Sequence, residues 1–306
     1  MSTQLWVVSA GKGGVGKTFV VSSLGITLSK LNQKVCLVDL DSSGGNLHSV
    51  FGLPLTDKNL RKYFFENQKL SELAVPTKIP HLSFIQGFWD TWSQTDLSKE
   101  QIHKFVEQIK NSGKFDFVIV DTTAGAWLPQ LELFDLADER FLITSSEPTS
   151  VEKNYRFIES YLCFLLQKSI FKNNLHEAQA FLRDFRKNQG KDFKTFKDII
   201  EEKFSRNENT FAKFDESPIR LIVNGTRSNQ DEDLGFSIRS VAYKYFGLLM
   251  DYKGHIEYDN AVWQSIKNRE PVLIEKPFTP LAGQFLTICK TLLSPNHNTN
   301  LFKDVV

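Results

Sequence analysis

Cysteine is scarce and dispersed in this 306-residue chain: Cys36, Cys163 and Cys289 are all it has, and no two form a Cys-x-x-Cys pair. That spacing argues against a zinc site and a disulfide framework, and it suits a reducing compartment. The six histidines show no metal-ligand spacing either. An excess of either charge is also missing, with 37 Lys and Arg against 36 Asp and Glu. No bulk field therefore draws the chain to nucleic acid, although a local basic patch stays open. No apolar run reaches the roughly 18 residues that a spanning helix needs. The first strand signal begins at Leu5, which leaves no room for a signal peptide, so a cytoplasmic location is expected. No internal repeat or low-complexity tract is visible. What the chain has in quantity is Phe, 26 residues of it, read as aromatic core packing. A hydrophobic fraction of 41% and a charged fraction of 24% are those of a globule with a sizeable core.

Short apolar runs recur along the chain. Leu5–Ser9, Val35–Leu40, Leu82–Ile85, Phe115–Val120, Phe141–Ile143 and Ile219–Val223 read as buried strands. Helical spacing lies between them, in Phe19–Leu31, Glu100–Ile109 and about Val151–Leu166. This alternation implies an α/β fold, a mostly parallel sheet with helices on both faces, to which a glycine-rich loop taken up below gives the P-loop NTPase form. Ligands in such sheets bind at the carboxyl ends of the strands, where every glycine-rich and acidic feature of this chain falls. Residues 1–294 read as one domain and 295–306 as a frayed tail. Lys172 to Ser217 breaks the rhythm as a helical insertion with Phe181, Phe185, Phe193, Phe196 and Phe204 spaced along it. It reads either as a solvated cap on the domain or as an element that docks a partner.

The chemistry concentrates in Gly11-Lys12-Gly13-Gly14-Val15-Gly16-Lys17-Thr18, a loop between the first strand and a helix, with Phe19 following it. Such a loop turns backbone N–H groups towards one point at a helix N-terminus and so cradles phosphates. Lys17 is placed to reach the β- and γ-phosphates of a nucleotide, and the Thr18 hydroxyl to ligate Mg²⁺. The strand before and the helix after separate this motif from a chance tight turn.

A second lysine after the first glycine, Lys12, resembles the signature lysine of the MinD/ParA family of deviant Walker A ATPases. The resemblance implies an ATP-sandwich homodimer in which Lys12 acts in trans on the partner's nucleotide, as an arginine finger does. Asp39 and Asp41, in Asp39-Leu40-Asp41-Ser42-Ser43-Gly44-Gly45, resemble the family's switch I. Asp41 would orient the attacking water and Asp39 would stand nearer the metal, with Gly44 and Gly45 giving the loop its mobility. Asp121 resembles the Walker B aspartate, and Asp121-Thr122-Thr123-Ala124-Gly125 the family's switch II with Thr123 in place of proline. Asn224 falls where the family reads adenine with an amide; by itself an Asn after a strand suits a turn. The expected ligands are ATP and Mg²⁺, the latter on Thr18, Asp39 and Asp121.

Within the family, Glu147-Pro148-Thr149-Ser150-Val151, then Asp251 to Asp259, Val262 and Arg269-Glu270-Pro271-Val272, resemble the FlhG (FleN) flagellar-number branch. That implies control of a cell-pole structure, with an FlhF-like GTPase or flagellar switch components as partners and a polar or peripheral membrane location. Two features depart from the branch. No counterpart of its amino-terminal FlhF-stimulating helix is expected before Leu5. The stripe Leu281, Phe285, Ile288 and Leu292 has only Lys290 on its polar face, so it reads as a core helix with weak membrane contact or none. The alternative is a ParA-like ATPase partitioning DNA or protein cargo over the nucleoid, disfavoured by the neutral charge. Cluster-carrier relatives use paired cysteines that are absent here.

Overall fold

The computed structural model describes residues 2–41, 45–88, 97–188, 199, 218–246 and 248–294. Its strands are β1 (Gln4–Ser9), β2 (Val35–Leu40), β3 (Val75–Pro76), β4 (Leu82–Ile85), β5 (Phe117–Thr122), β6 (Glu139–Thr144), β7 (Ile219–Thr226) and β8 (Met250–Glu257). They form one eight-stranded sheet in the order β3-β4-β2-β5-β1-β6-β7-β8. Every pairing is parallel except β3 with β4. The strands are continuous apolar runs because both faces of the sheet are covered. In β1, Leu5 and Val7 point into one layer and Trp6 and Val8 into the other, the two-residue period of a strand.

The helices are α1 (Lys17–Lys30), α2 (Leu47–Val50), α3 (Leu60–Glu66), α4 (Leu70–Leu73), α5 (Lys99–Lys110), α6 (Leu128–Leu136), α7 (Pro148–Ser169) and α8 (Leu175–Asn188), then α9 (Asn229–Phe246), α10 (Asn260–Asn268), α11 (Val272–Glu275) and α12 (Pro280–Leu293). Helices α3 to α9 cover one face, with Phe105, Phe134, Phe157 and Tyr161 at the centre of that core. α1, α2 and α10 to α12 cover the other, around Trp6, Phe141 and Phe285. Much of the phenylalanine excess is spent here. Trp6 sits between Phe117 and Phe141 at ring distances of 5.1 and 5.2 Å, and Phe134 meets Tyr161 edge-on at 5.1 Å.

Helix α12 has the orientation its stripe implies: Leu281, Phe285, Ile288 and Leu292 are buried against the sheet. Full burial of each such side chain contributes about 1.5–3 kcal/mol, so this apolar face belongs to the core. α5 starts on a capping box in which Ser98 and Gln101 exchange side-chain-to-backbone hydrogen bonds. The described part of the insertion is α8. Phe185 is buried and Phe181 half-buried there, both packed against the core with α7. Phe193, Phe196 and Phe204 lie outside the described residues, as does Gly44. Among the described residues no helix is long and apolar enough to cross a membrane.

Two strands have weak signals in the sequence. β8 carries Asp251, Lys253 and His255 along one edge of the sheet, and its register against β7 slips between Leu221 and Ile222, so no clean alternation results. β3 is two residues long and ends in a proline, as an edge position permits.

Candidate functional site

Sheet order places the carboxyl ends of β2, β5, β1, β6 and β7 side by side, and the loop from Ala10 to Gly16 lies over them. Gly14 and Gly16 adopt φ of 80° and 90°, left-handed values that suit glycine. Gly16 is also the residue from which α1 starts, so the loop's N–H groups converge on that helix's positive end. Two asparagines far off in the chain, Asn154 on α7 and Asn224 on β7, fix the loop. Asn154 Oδ1 accepts from the Gly11 N–H at 2.6 Å, while its Nδ2 donates to the Ile143 carbonyl at 3.0 Å. Asn224 Nδ2 donates to the Val15 carbonyl at 2.9 Å and presses on Gly16, where an added Cβ would stand 2.2 Å from it. A Cβ on Gly11 would stand 2.1 Å from the Lys153 carbonyl oxygen. Both glycines are therefore required by packing.

Lys17 is buried at the loop's end, and its charge acts on Asp121. Thr18 Oγ1 donates to Asp121 Oδ2 at 2.6 Å. Asp39 pairs in register with Asp121 across β2 and β5, and both are buried to 1% exposure. Burial first, and the neighbouring Asp121 next, push the Asp39 carboxyl up to about 8; two backbone N–H groups, of Leu47 and Asp41, pull the other way. Burial raises Asp121 as well, opposed by Lys17 and Thr18. Asp41 stands half-buried at the exit of β2, close enough for its charge to raise both. Gly45 packs on the Asp39 carboxylate, where a Cβ would lie 2.1 Å from Oδ1.

These donors fit a hard divalent cation. Asp121 Oδ1 is buried with no hydrogen-bond partner, and two adjacent buried carboxylates gain from a positive charge between them. No group of three or more Asp, Glu, His or Cys able to hold a metal occurs among the described residues. An ion here would rest on Asp39, Asp121 and Thr18, completed by water or phosphate oxygens, which is the habit of Mg²⁺.

Asn154 and Gln130 went unread in the sequence, and so did the contacts that the other residues make. Lys12 Nζ donates to Glu147 Oε2 at 2.5 Å and to Thr149 Oγ1 at 3.0 Å, on the first turn of α7. Beneath the loop, Gln130 Nε2 donates to Ser9 Oγ and Thr122 Oγ1 at 3.2 and 3.0 Å, and the Gly125 N–H donates to the Ala10 carbonyl at 2.9 Å. The segment after Asp121 is thus tied to the root of the loop. Phe19, counted with the loop, turns its ring to Phe285 at 5.5 Å, so its side chain belongs to the core.

A parallel sheet with a glycine-rich loop at β1 and carboxylates at β2 and β5 defines the MinD/ParA kind of P-loop NTPase fold. The AAA_31 family, an AAA domain, matches residues 3–156, half of the chain, and the chain belongs to that family. It is 32% identical over 154 residues to the septum site-determining protein MinD of Bacillus subtilis, a match covering 50% of this chain and 57% of that one. It is 28% identical over 163 residues to the flagellum site-determining protein YlxH of Helicobacter pylori, covering 52% and 53%. The chain thus spans little more than half the length of these relatives. The structure of MinD from Pyrococcus horikoshii with Mg-ADP superposes with a TM-score of 0.65 at 19% identity, covering 95% of this chain and 96% of that one.

Proposed function

We propose that this chain binds ATP with Mg²⁺ in the Gly11–Thr18 loop, hydrolyses it to ADP, and works as a nucleotide-driven switch that closes a homodimer. The observation that carries this reading is the convergence of Lys17, Thr18, Asp39 and Asp121 on one buried corner under a left-handed glycine loop. Lys17 meets the β- and γ-phosphates, and the loop N–H groups cradle them. Thr18, Asp39 and Asp121 would hold Mg²⁺, and the ion when bound would supply positive charge to the phosphates. Asp41 orients the attacking water. Lys12 crosses to the nucleotide of the partner copy, where its charge steadies the transition state. Gly45, Leu47 and Asp41 all contact Asp39, so this loop can report a cation there to the surface.

In the cell the switch controls the placement or number of a polar structure, most simply flagella. The YlxH resemblance and the Glu147–Val151 segment support that reading. The test uses an Asp41→Ala chain as affinity bait with ATP and with ADP. Recovery of flagellar switch components or an FlhF-like GTPase in ATP alone supports it. Recovery of DNA-associated proteins instead would move the chain to a partitioning role. Phosphate release unchanged in Asp41→Ala and Lys17→Ala would overturn the ATPase reading itself.

A further inference from the structure

Ser9 and Thr122 are the last residues of the two strands that carry the site: the glycine loop follows Ser9, and Thr122 follows Asp121. Parallel pairing sets Val8 beside Asp121, and so Ser9 beside Thr122. The two-residue period turns Asp121 to the α1 face of the sheet, where Thr18 meets it, and Thr122 to the α6 face. On the α6 face the strands run Leu5, Val7, Ser9 and Val118, Val120, Thr122, so an apolar wall ends in two buried hydroxyls. One side chain of α6 reaches both. Gln130, itself 6% exposed, donates from Nε2 to Ser9 Oγ at 3.2 Å and to Thr122 Oγ1 at 3.0 Å, and the hydroxyls stand 3.1 Å apart. Thr122 gives its own proton to the Val8 carbonyl at 2.9 Å, so towards Gln130 it can only accept. The amide therefore turns its N–H groups to the strands, and its oxygen is left buried with no hydrogen-bond partner. An apolar side chain in this core would leave no acceptor unanswered, so stability alone does not account for a glutamine here.

We propose that Gln130 is a positioning residue for ATP hydrolysis: its two N–H bonds fix where the root of the glycine loop stands relative to Asp121. This rests on the nucleotide reading above. Lys17 and Thr18 belong to the loop side of the site and Asp121 to the β5 side, and the two sides meet in the 2.6 Å bond from Thr18 to Asp121. Gln130 spans the same two sides from the opposite face of the sheet, alongside the 2.9 Å bond from the Gly125 N–H to the Ala10 carbonyl. Its amide stands behind the strands, away from the phosphates and the cation. It therefore acts on turnover, through the placement of Asp121 against the loop, and leaves nucleotide affinity largely alone.

The experiment compares the native chain with Gln130→Met, which keeps the length of the side chain and removes both N–H bonds, with Thr122→Val, which removes one acceptor, and with the double variant. Thermal melts check that they fold, and Thr122→Val carries the same tests if Gln130→Met does not. Phosphate release at saturating Mg²⁺ and ATP should fall about tenfold or more in Gln130→Met. The ATP concentration for half-maximal rate should change by less than about twofold. The double variant should be no slower than the slower single one, because the three side chains act as a unit. Without nucleotide, hydrogen exchange at the Gly125 N–H should quicken in Gln130→Met while residues 117–120 keep their protection. A lower melting temperature with the native rate per folded molecule is what a merely structural role predicts, and it overturns the proposal. So do losses of rate that add in the double variant, or unchanged exchange at Gly125. A native chain that hydrolyses no ATP overturns the nucleotide reading and this proposal with it, whereas a native ATPase indifferent to Gln130→Met overturns this proposal alone.

Discussion

Lys12 lies against Glu147 of its own chain, Nζ to Oε2 at 2.5 Å, with the Thr149 hydroxyl as its second acceptor. A lysine held in this way cannot also reach a neighbouring molecule's nucleotide, so closing a dimer through Lys12 requires that this pair open. The pair is largely exposed and contributes at most about 1 kcal/mol. Two such pairs open in each homodimer, so Glu147→Gln should strengthen ATP-dependent dimerisation by up to about 30-fold. Lys12→Ala should abolish it. Sedimentation in ATP against ADP reads both; a Lys12→Ala chain that still dimerises in ATP removes the trans role of the lysine.

Thr18 and Asp121 share the 2.6 Å hydrogen bond that positions the candidate cation ligands. Asp121→Asn keeps the shape but gives up the charge. The Mg²⁺ concentration for half-maximal hydrolysis should rise about 10–100-fold, with smaller change in metal-free nucleotide binding. An unchanged Mg²⁺ titration would take Asp121 out of the metal site.

Stability without nucleotide should fall as pH rises. The folded state keeps a proton on Asp39 that the unfolded chain has already released, so from the ordinary carboxylate range up to about pH 8 the unfolded state binds fewer protons. The raised carboxyl of Asp121 adds a contribution of the same sign. Asp39→Asn should flatten this slope and raise the melting temperature near the top of the window. The gain should be roughly 2–4 °C for each kcal/mol relieved. Mg²⁺ should stabilise the native chain more as pH rises. Thermal melts at a series of pH values, with and without Mg²⁺, decide it; a flat wild-type profile would contradict the buried charge.

Three loop glycines should separate folding from binding. Gly11→Ala drives a methyl into the Lys153 carbonyl, and Gly16→Ala drives one into Asn224 from a left-handed backbone. Each should cost about 1–3 kcal/mol of stability. Gly13 has open space around it, so Gly13→Ala should melt as the native chain does and lose nucleotide affinity alone, read by calorimetry. A Gly13→Ala chain that still binds ATP normally would mean that the phosphates do not approach that point.

The sequence by itself determined whatever depends on neighbours along the chain. The Gly11–Thr18 loop is contiguous, so its turn residues, its lysines and its helix start could be read in one line. The same holds for the strands from Leu5 to Val223 and for the buried face of α12, whose period shows within four turns. β8 lacked that signal because an edge strand with a register slip mixes buried and half-buried residues. Only the tertiary structure decided which groups close on the loop. Glu147 reaches Lys12 across 135 residues, Asn154 reaches Gly11 across 143, and Asn224 reaches Val15 across 209. Those contacts exist because the sheet orders its strands β5-β1-β6-β7, setting the ends of β6 and β7 beside that of β1. A local pattern carries the propensity to form a strand or a helix; it carries no record of which carboxylate or amide the crossovers will bring next to it.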